Sequence, residues 1–417
     1  MMNMLKLIQF FSNKLFSKLI NKYYATKLVS KPSKLIQIVS MPLRHWLINA
    51  KKRDLFLAAM RIAEELGWES ALRFVRESNT YKRPRSLNII LANQHISSEL
   101  AWQSYLNEYL NSFHLQPVYQ IPKKANKFDG ISSKAKEFSQ PTELISIVMT
   151  AFNAAATIEK SVDSILNQTI KNIQLIIVDD CSTDDTWQVI QRLVQKDGRV
   201  NAIKNSYNVG PYVSKNIGLR FAQGKYFTCH DADDWAHPQR IENDYLALNN
   251  NSASVHAVVS CMLRMYRTGE FSKFAKLDTF PYDGVARIAP VTLFMETEFF
   301  KKYFGAWDCV RFGGDNEILE RCKKVLGSKI YFNDTIALIS LDSPNSLTNH
   351  PVTGVSRTEG PSLDRLNYAK SFRQWHQTID LSNCRLEFTA LHDKYVVPPS
   401  MRVNAYDFDK NNESISV

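Results

Sequence analysis

The sequence predicts an α/β protein: a mixed, mainly parallel sheet flanked by helices, preceded by an all-helical N-terminal region. Three observations predict it. Between residues 144 and 231 short apolar runs alternate with stretches whose apolar residues recur every three or four positions, the order strand, helix, strand expected of a parallel sheet with right-handed crossovers. Residues 54–115 show only the helical spacing. Acidic residues collect where the apolar runs end, as at Asp179-Asp180 and Asp231-Ala-Asp233-Asp234.

The chain of 417 residues suggests two or three domains, and its 44% hydrophobic content suffices for a sizeable core. Its charge is uneven. Residues 1–54 carry eleven Lys and Arg against a single acid, Asp54, a net +10 out of the whole chain's +11. A basic body that binds nucleic acid is therefore not expected. Within residues 1–50, Lys14, Lys18 and Lys22 share one helical face while Leu15, Phe16, Leu19 and Ile20 lie toward the other. The lysines interrupt the apolar run too often for a spanning helix. The pattern suits a helix lying on an anionic membrane surface, where each Lys or Arg adds about 1 kcal/mol. An amphipathic helix docked on the protein's own body is the alternative. The six cysteines form no CxxC pair and read as reduced thiols, which together with the basic start implies a cytoplasmic protein, peripheral on the inner face of a membrane.

Residues 51–120 read as a helical domain. Leu55, Ala58, Ala59, Ile62, Ala63 and Leu66 step at helical spacing up to Gly67, and Trp68–Glu77, Leu87–Asn93 and Ser98–Phe113 add three more helices. Such a region suits a scaffold or a partner enzyme's docking surface. Residues 121–141, polar and with prolines at both ends, read as a linker.

The α/β domain spans 142–345. Strands are expected at Leu144–Met149, Gln174–Val178 and Val200–Lys204, and helices at Ala155–Leu166 and Pro211–Phe221, with a further helix opened by Ser182 or Thr183 as cap. Tyr226-Phe-Thr-Cys229 is a strand that runs into three carboxylates within four positions. Like charges so placed repel, and a hard divalent cation, Mn²⁺ or Mg²⁺, favours such oxygen ligands together with phosphates. Ligands on parallel sheets bind beyond the strands' carboxyl ends. Thr150, Ala151 and Asn153 follow the first strand there, Asp180 the second, and Asp231 and Asp233 a later one. Asp180 can accept from a base, Asp231 from ribose hydroxyls or a cation, and Asp233 can reach the cation. Lys215 and Asn216, on the helix after Gly210-Pro211, could face phosphates; a solvated Lys is the alternative.

Residues 144–240 resemble the nucleotide-binding half of the family 2 glycosyltransferases, which have the GT-A fold. The resemblance rests on Ser146–Asn153, Ser164–Thr169, Ile177–Asp184, Asn208-Val-Gly with Asn216-Ile-Gly218, and Asp231-Ala-Asp-Asp234, five pieces in order. Phe152 stands where Tyr is common and Cys181 where Gly is common. The resemblance implies inverting transfer from a nucleotide sugar, commonly UDP-linked, to a saccharide or lipid-linked acceptor in bacterial surface polysaccharide synthesis. It implies uracil contact for Asp180 and the family's Asp-x-Asp motif for Asp231 and Asp233. Gly313-Gly-Asp-Asn316 is similar to the Gly-Gly-acid-Asn motif of related transferases, so Asp315 is the expected general base and Glu317 the reserve, each with a helix-start carboxylate as its alternative. His350 is a candidate further metal ligand, as in some GT-A enzymes. The competing class is a non-catalytic glycan-binding or assembly protein on the same scaffold. Sugar nucleotidyl transfer is disfavoured, since no Gly-rich, Arg-containing loop opens the fold.

Residues 346–417 read as a helical extension and tail. Residues 362–379 read as a helix whose Phe372 and Trp375 either line an acceptor groove or pack inward, and residues 411–417 read as frayed.

Overall fold

A computed structural model describes residues 85–139, 142–250, 255–272, 283, 285–344, 346–356 and 360–415. The basic segment 1–50 and the helices expected at 55–66 and 68–77 lie outside the described residues. The chain divides into two compact units, residues 1–95 with 273–285 and residues 96–272 with 286–417. In the first, helix α1 (Leu87–Gln94) stands where the helical spacing places it, with Ile89, Ile90 and Ala92 buried.

The larger unit opens with α2 (Glu99–Asn111), whose Ser98 cap accepts the N–H of Ala101. Trp102 on α2 is buried, donates its indole N–H to the Gly269 carbonyl at 2.9 Å and stacks on Phe271. This helix is thus part of the larger unit. The expected linker is structured over its first half. Strand β1 (Val118–Gln120) and β2 (Ile131–Ser133) pair antiparallel around the short helix α3 (Lys127–Gly130). Phe128 and Ile131 are buried, and the Lys160 ammonium donates to the Asp129 and Ile131 carbonyls. The turn residues that read as a linker serve a hairpin instead: Asn126 accepts the Asp129 N–H at 2.9 Å.

The main sheet follows. Strands β3 (Ile145–Ala151), β4 (Ile173–Asp179) and β5 (Val200–Lys204) alternate with α4 (Ile158–Leu166) and α5 (Thr186–Lys196). Helix α6 (Pro211–Arg220) leads to β6 (Tyr226–Asp231). β3 and β4 are apolar along nearly their whole length because both faces are covered. Gly218 on α6 faces Val148 and Val178; a Cβ there would stand 2.5 Å from a Val148 methyl, so only glycine lets the helix lie this close to the sheet.

After β7 (Trp235–Ala236) and α7 (Arg240–Asn250) come β8 (Ala257–Met265), the short β9 (Phe271–Ser272) and β10 (Arg287–Ile288), and β11 (Phe294–Glu296). Helix α8 (Gly314–Leu326) and the long β12 (Ile330–Leu341) complete the sheet, in the order β5-β4-β3-β6-β11-β8-β12-β7. β11 is antiparallel to both β6 and β8, and β12 is parallel to β8. Strands β3, β4, β6, β8 and β12 therefore end on one edge. This is the mixed, mainly parallel sheet that the sequence predicts.

The C-terminal helices α9 (Leu363–His376) and α10 (Ala405–Ser414) pack on this body. Phe372, Met401 and Phe408 join one core with Val148, Ile176 and Phe227, and Trp375 packs against it. Phe372 and Trp375 are thus packing residues. Of the segment read as frayed, residues 411–414 are the end of α10, with Asn411 fully buried, and residues 416–417 lie outside the described residues.

Candidate active site

The chain runs from β3 outward through β4 to β5, then returns to the other side of β3 as β6. Strand order reverses between β3 and β6, and a crevice opens at such a point beyond the strand ends. Thr150 and Asp231 are register partners across it. Ala151 ends β3, and its carbonyl accepts the Asp180 N–H at 2.8 Å.

The loops after β3 and β4 are bound to each other. Asn153, at φ 50°, accepts the Thr183 N–H at 2.9 Å, and its own N–H donates to Ser182 Oγ at 3.0 Å. Ser182 and Thr183 were the expected caps of α5. The helix starts later, after Asp185, because these hydroxyls serve the neighbouring loop. Cys181 adopts φ 62°, the left-handed backbone in which glycine is favoured. Phe152 is half exposed at the same turn, an aromatic surface beside the crevice that the expected site did not include.

Asp180 is buried, and its carboxylate faces inward. Oδ1 accepts from Asn205 Nδ2 and the Val209 N–H at 2.9 Å each, and Oδ2 from the Gly210 N–H at 2.8 Å. It holds the loop that starts α6, so any base contact must come from lone pairs these bonds leave. Asn216 is also turned inward: its amide donates to the Trp307 carbonyl and accepts the Trp307 N–H, both at 2.9 Å. It clamps the chain ahead of α8 rather than facing phosphates.

The acidic turn is under electrostatic load. Desolvation raises the Asp231 carboxyl, helped by Asp315 and opposed by Lys215. Desolvation and then Asp231 push Asp233 up to about 6. Asp234 is buried, with its carboxylate accepting the Leu341 N–H at 3.2 Å, and is raised further by desolvation and by Asp233. Two partly accessible carboxylates that resist ionisation side by side are the donor set a hard divalent cation would suit. Among the described residues no three His, Cys, Asp or Glu side chains form a metal-holding group. His350 does not supply a third ligand: it is exposed, and its Nδ1 accepts the Val352 and Thr353 N–H groups of its own turn. A cation here would draw its remaining ligands from a diphosphate and water.

Later in the chain, α8 begins after Gly313, at φ 89°. Asp315 in its first turn keeps a quarter of its side chain accessible. The Lys215 ammonium lies 2.9 and 3.0 Å from the two Asp315 oxygens and 3.9 Å from Asp231 Oδ1, and Tyr212 Oη lies 3.4 Å from Asp315 Oδ2. Lys215 is neither solvated nor pointed at open phosphate space. Burial alone would push its ammonium down, but Asp315 and then Asp231 hold it above the usual range. Glu317, the reserve base, is corrected outright. It is fully buried, with Arg321 at 3.1 Å and His376 at 2.9 Å on its carboxylate, and no acceptor hydroxyl reaches it.

The acidic turn at the switch point and the Asp315 carboxylate of a later helix thus meet at one buried ammonium. Residues 146–305 match the family model described as Glycosyl transferase family 2, and this segment of the chain is a family 2 glycosyltransferase domain. The chain is similar to the Escherichia coli UDP-Glc:alpha-D-GlcNAc-diphosphoundecaprenol beta-1,3-glucosyltransferase WfaP, 45% identical over 101 residues, which is 24% of this chain and 39% of that protein. It is 33% identical over 130 residues to the Campylobacter jejuni GalNAc(5)-diNAcBac-PP-undecaprenol beta-1,3-glucosyltransferase, 31% of this chain and 41% of that one. The chain thus spans about two fifths of the length of these curated relatives. Among solved structures, S. aureus TarS 1–349 in complex with UDP-GlcNAc aligns with a TM-score of 0.38 at 15% identity, over 48% of this chain and 59% of that one.

Proposed function

We propose that this chain is an inverting glycosyltransferase that moves a sugar from a nucleotide donor, UDP-linked, to a saccharide or lipid-linked acceptor in bacterial surface polysaccharide synthesis. The observation that carries the reading is the approach of Asp315 and Asp231 to one ammonium, that of Lys215, at 2.9 and 3.9 Å. In this reading an acceptor-side and a donor-side carboxylate stand against the same ammonium. In-line displacement needs that juxtaposition: a base near the attacking hydroxyl and, on the other side of the sugar, a site for the leaving diphosphate. Asp315 takes the proton of the acceptor hydroxyl. Thr150, Ala151, Asn153 and the Asp180 loop border the nucleotide, and Asp231 and Asp233 hold Mn²⁺ or Mg²⁺. When bound, the cation supplies Lewis-acid stabilisation of the departing diphosphate. The names of the two relatives, both of which include a diphosphate-linked undecaprenol, support a lipid-linked acceptor.

The basic segment 1–50 fits an anionic membrane surface by charge. Among the described residues no helix is long and apolar enough to cross a membrane. The test of function is release of free nucleotide from a panel of nucleotide sugars, with and without Mn²⁺, in the presence of a diphosphate-linked lipid acceptor. Cation-dependent release of UDP from one donor is expected. Binding of a donor or glycan with no nucleotide released from any donor would assign the chain to the non-catalytic class.

A further inference from the structure

We infer that Lys215 is a positioning residue shared between the two halves of the site, an internal cation that holds Asp315 in place and competes with the metal for Asp231. The inference rests on the reading of Asp231 and Asp233 as cation ligands. Its basis is geometric. The Lys215 side chain is 2% exposed, whereas Asp315 and Asp231 keep 25% and 41% of theirs accessible. The ammonium is thus buried against two carboxylates that each keep part of their surface accessible. It has three protons to donate. Both Asp315 oxygens lie within hydrogen-bond distance, and Asp231 Oδ1 stands 3.9 Å away, an ion pair short of a direct bond. The Tyr212 ring lies 5.2 Å from the ammonium and gives it a further wall.

Two consequences follow from this sharing. Asp315 is held by both oxygens from below, so its orientation toward the acceptor does not depend on the acceptor's presence. Asp231 sees a fixed positive charge, which lowers its attraction for a second cation. Removing the lysine charge should therefore tighten divalent-cation binding, while removing the Asp315 charge should let Lys215 turn to Asp231 and weaken it. A lysine that only fills space predicts no tightening on its removal, and one that binds donor phosphate predicts loss of nucleotide affinity instead.

The experiment measures Mn²⁺ affinity of the full chain by electron paramagnetic resonance at a fixed UDP concentration, independently of turnover. Lys215→Met should bind Mn²⁺ at least about fivefold more tightly than wild type, the scale set by one unit charge a few ångströms away. Asp315→Asn should bind it about fivefold more weakly. The double variant should return toward wild type. In turnover assays Lys215→Met should lose kcat by about a hundredfold or more with little change in donor KM, the mark of a displaced base. Thermal melts accompany each variant; if Lys215→Met fails to fold, Lys215→Gln, which also removes the charge, takes its place in the Mn²⁺ measurement. Unchanged or weakened Mn²⁺ binding in folded Lys215→Met, or unchanged or tightened binding in Asp315→Asn, overturns the inference and leaves the metal assignment standing. Absence of Mn²⁺ binding in the wild type overturns the metal assignment and the inference with it.

Discussion

Asn411, on α10, accepts the backbone N–H of Ser206 at 2.8 Å across 205 residues of chain. The same oxygen lies 3.5 Å from the Tyr207 N–H, and Ser414 Oγ pairs with Ser206 Oγ at 3.0 Å. The 205–210 loop is therefore held from both sides, by Asn411 on one and by the Asp180 carboxylate on the other. Asn411→Ala removes the acceptor of the partly buried Ser206 and Tyr207 N–H groups, a loss of about 0.5–1.5 kcal/mol. A lower Tm is expected, with a raised KM for the nucleotide sugar and a smaller change in kcat. An unchanged donor KM would detach α10 from the nucleotide loop.

Glu317 separates a structural carboxylate from a chemical one. Arg321 is fully buried and donates to the carbonyls of Phe304, Ala306 and Cys384 as well as to Glu317. Glu317→Gln keeps the shape but leaves this arginine without its counter-charge, and breaking a buried pair costs about 3–5 kcal/mol. The melt should shift down strongly, while the protein that remains folded turns over near the wild-type rate. A folded variant with kcat reduced by orders of magnitude would restore Glu317 as the base.

Asp315→Asn should lower kcat by orders of magnitude, since the amide cannot take the acceptor proton, while UDP binding measured by calorimetry at saturating Mn²⁺ persists. Loss of UDP binding would move Asp315 to the donor side.

Asp233→Asn removes the carboxylate that the acidic turn raises to about 6. Mn²⁺-dependent turnover should vanish and the fold should be at least as stable without metal, because a desolvated like charge is gone. Retained Mn²⁺ dependence would take Asp233 out of the cation site.

Asp244 on α7 supplies a pH test remote from the chemistry. It is fully buried and hydrogen-bonded to Ser260, and burial pushes its carboxyl up to about 7 against the pull of Arg240. An unfolded aspartate titrates near 4. Between those values the folded chain keeps a proton that the unfolded chain has released. Its stability contribution is thus present at low pH and declines as pH rises toward 7, by at most about 1.4 kcal/mol per pH unit. Asp244→Asn should flatten that part of the stability curve in urea melts from pH 4 to 8. A wild-type slope that survives the substitution would place the titration elsewhere.

The alternation of strands and helices, the parallel order from β3 to β6 and the Asp-x-Asp turn were all legible in the sequence. Each rests on neighbours a few positions apart: a two-residue or three-to-four-residue apolar period, a proline opening a helix, carboxylates crowded at a strand end. Two segments misled the local reading. Residues 121–141 read as a linker, yet 127–133 form a short helix and a paired strand, and 411–417 read as a tail, yet 411–414 end α10, because polar hairpin and capping residues share the composition of unstructured chain.

What each polar group faces was decided only by tertiary structure. Asp315 and Glu317 stand two residues apart at one helix start, yet one keeps an accessible edge and the other is sealed under Arg321 and His376. Lys215 and Asn216 are adjacent on α6, yet one meets Asp315, 100 residues on, and the other the Trp307 backbone, 91 residues on. Propensity acts along a few residues of chain, whereas desolvation and ion pairing act through space. Sequence thus placed the acids along the chain, and packing determined which of them an incoming substrate can reach.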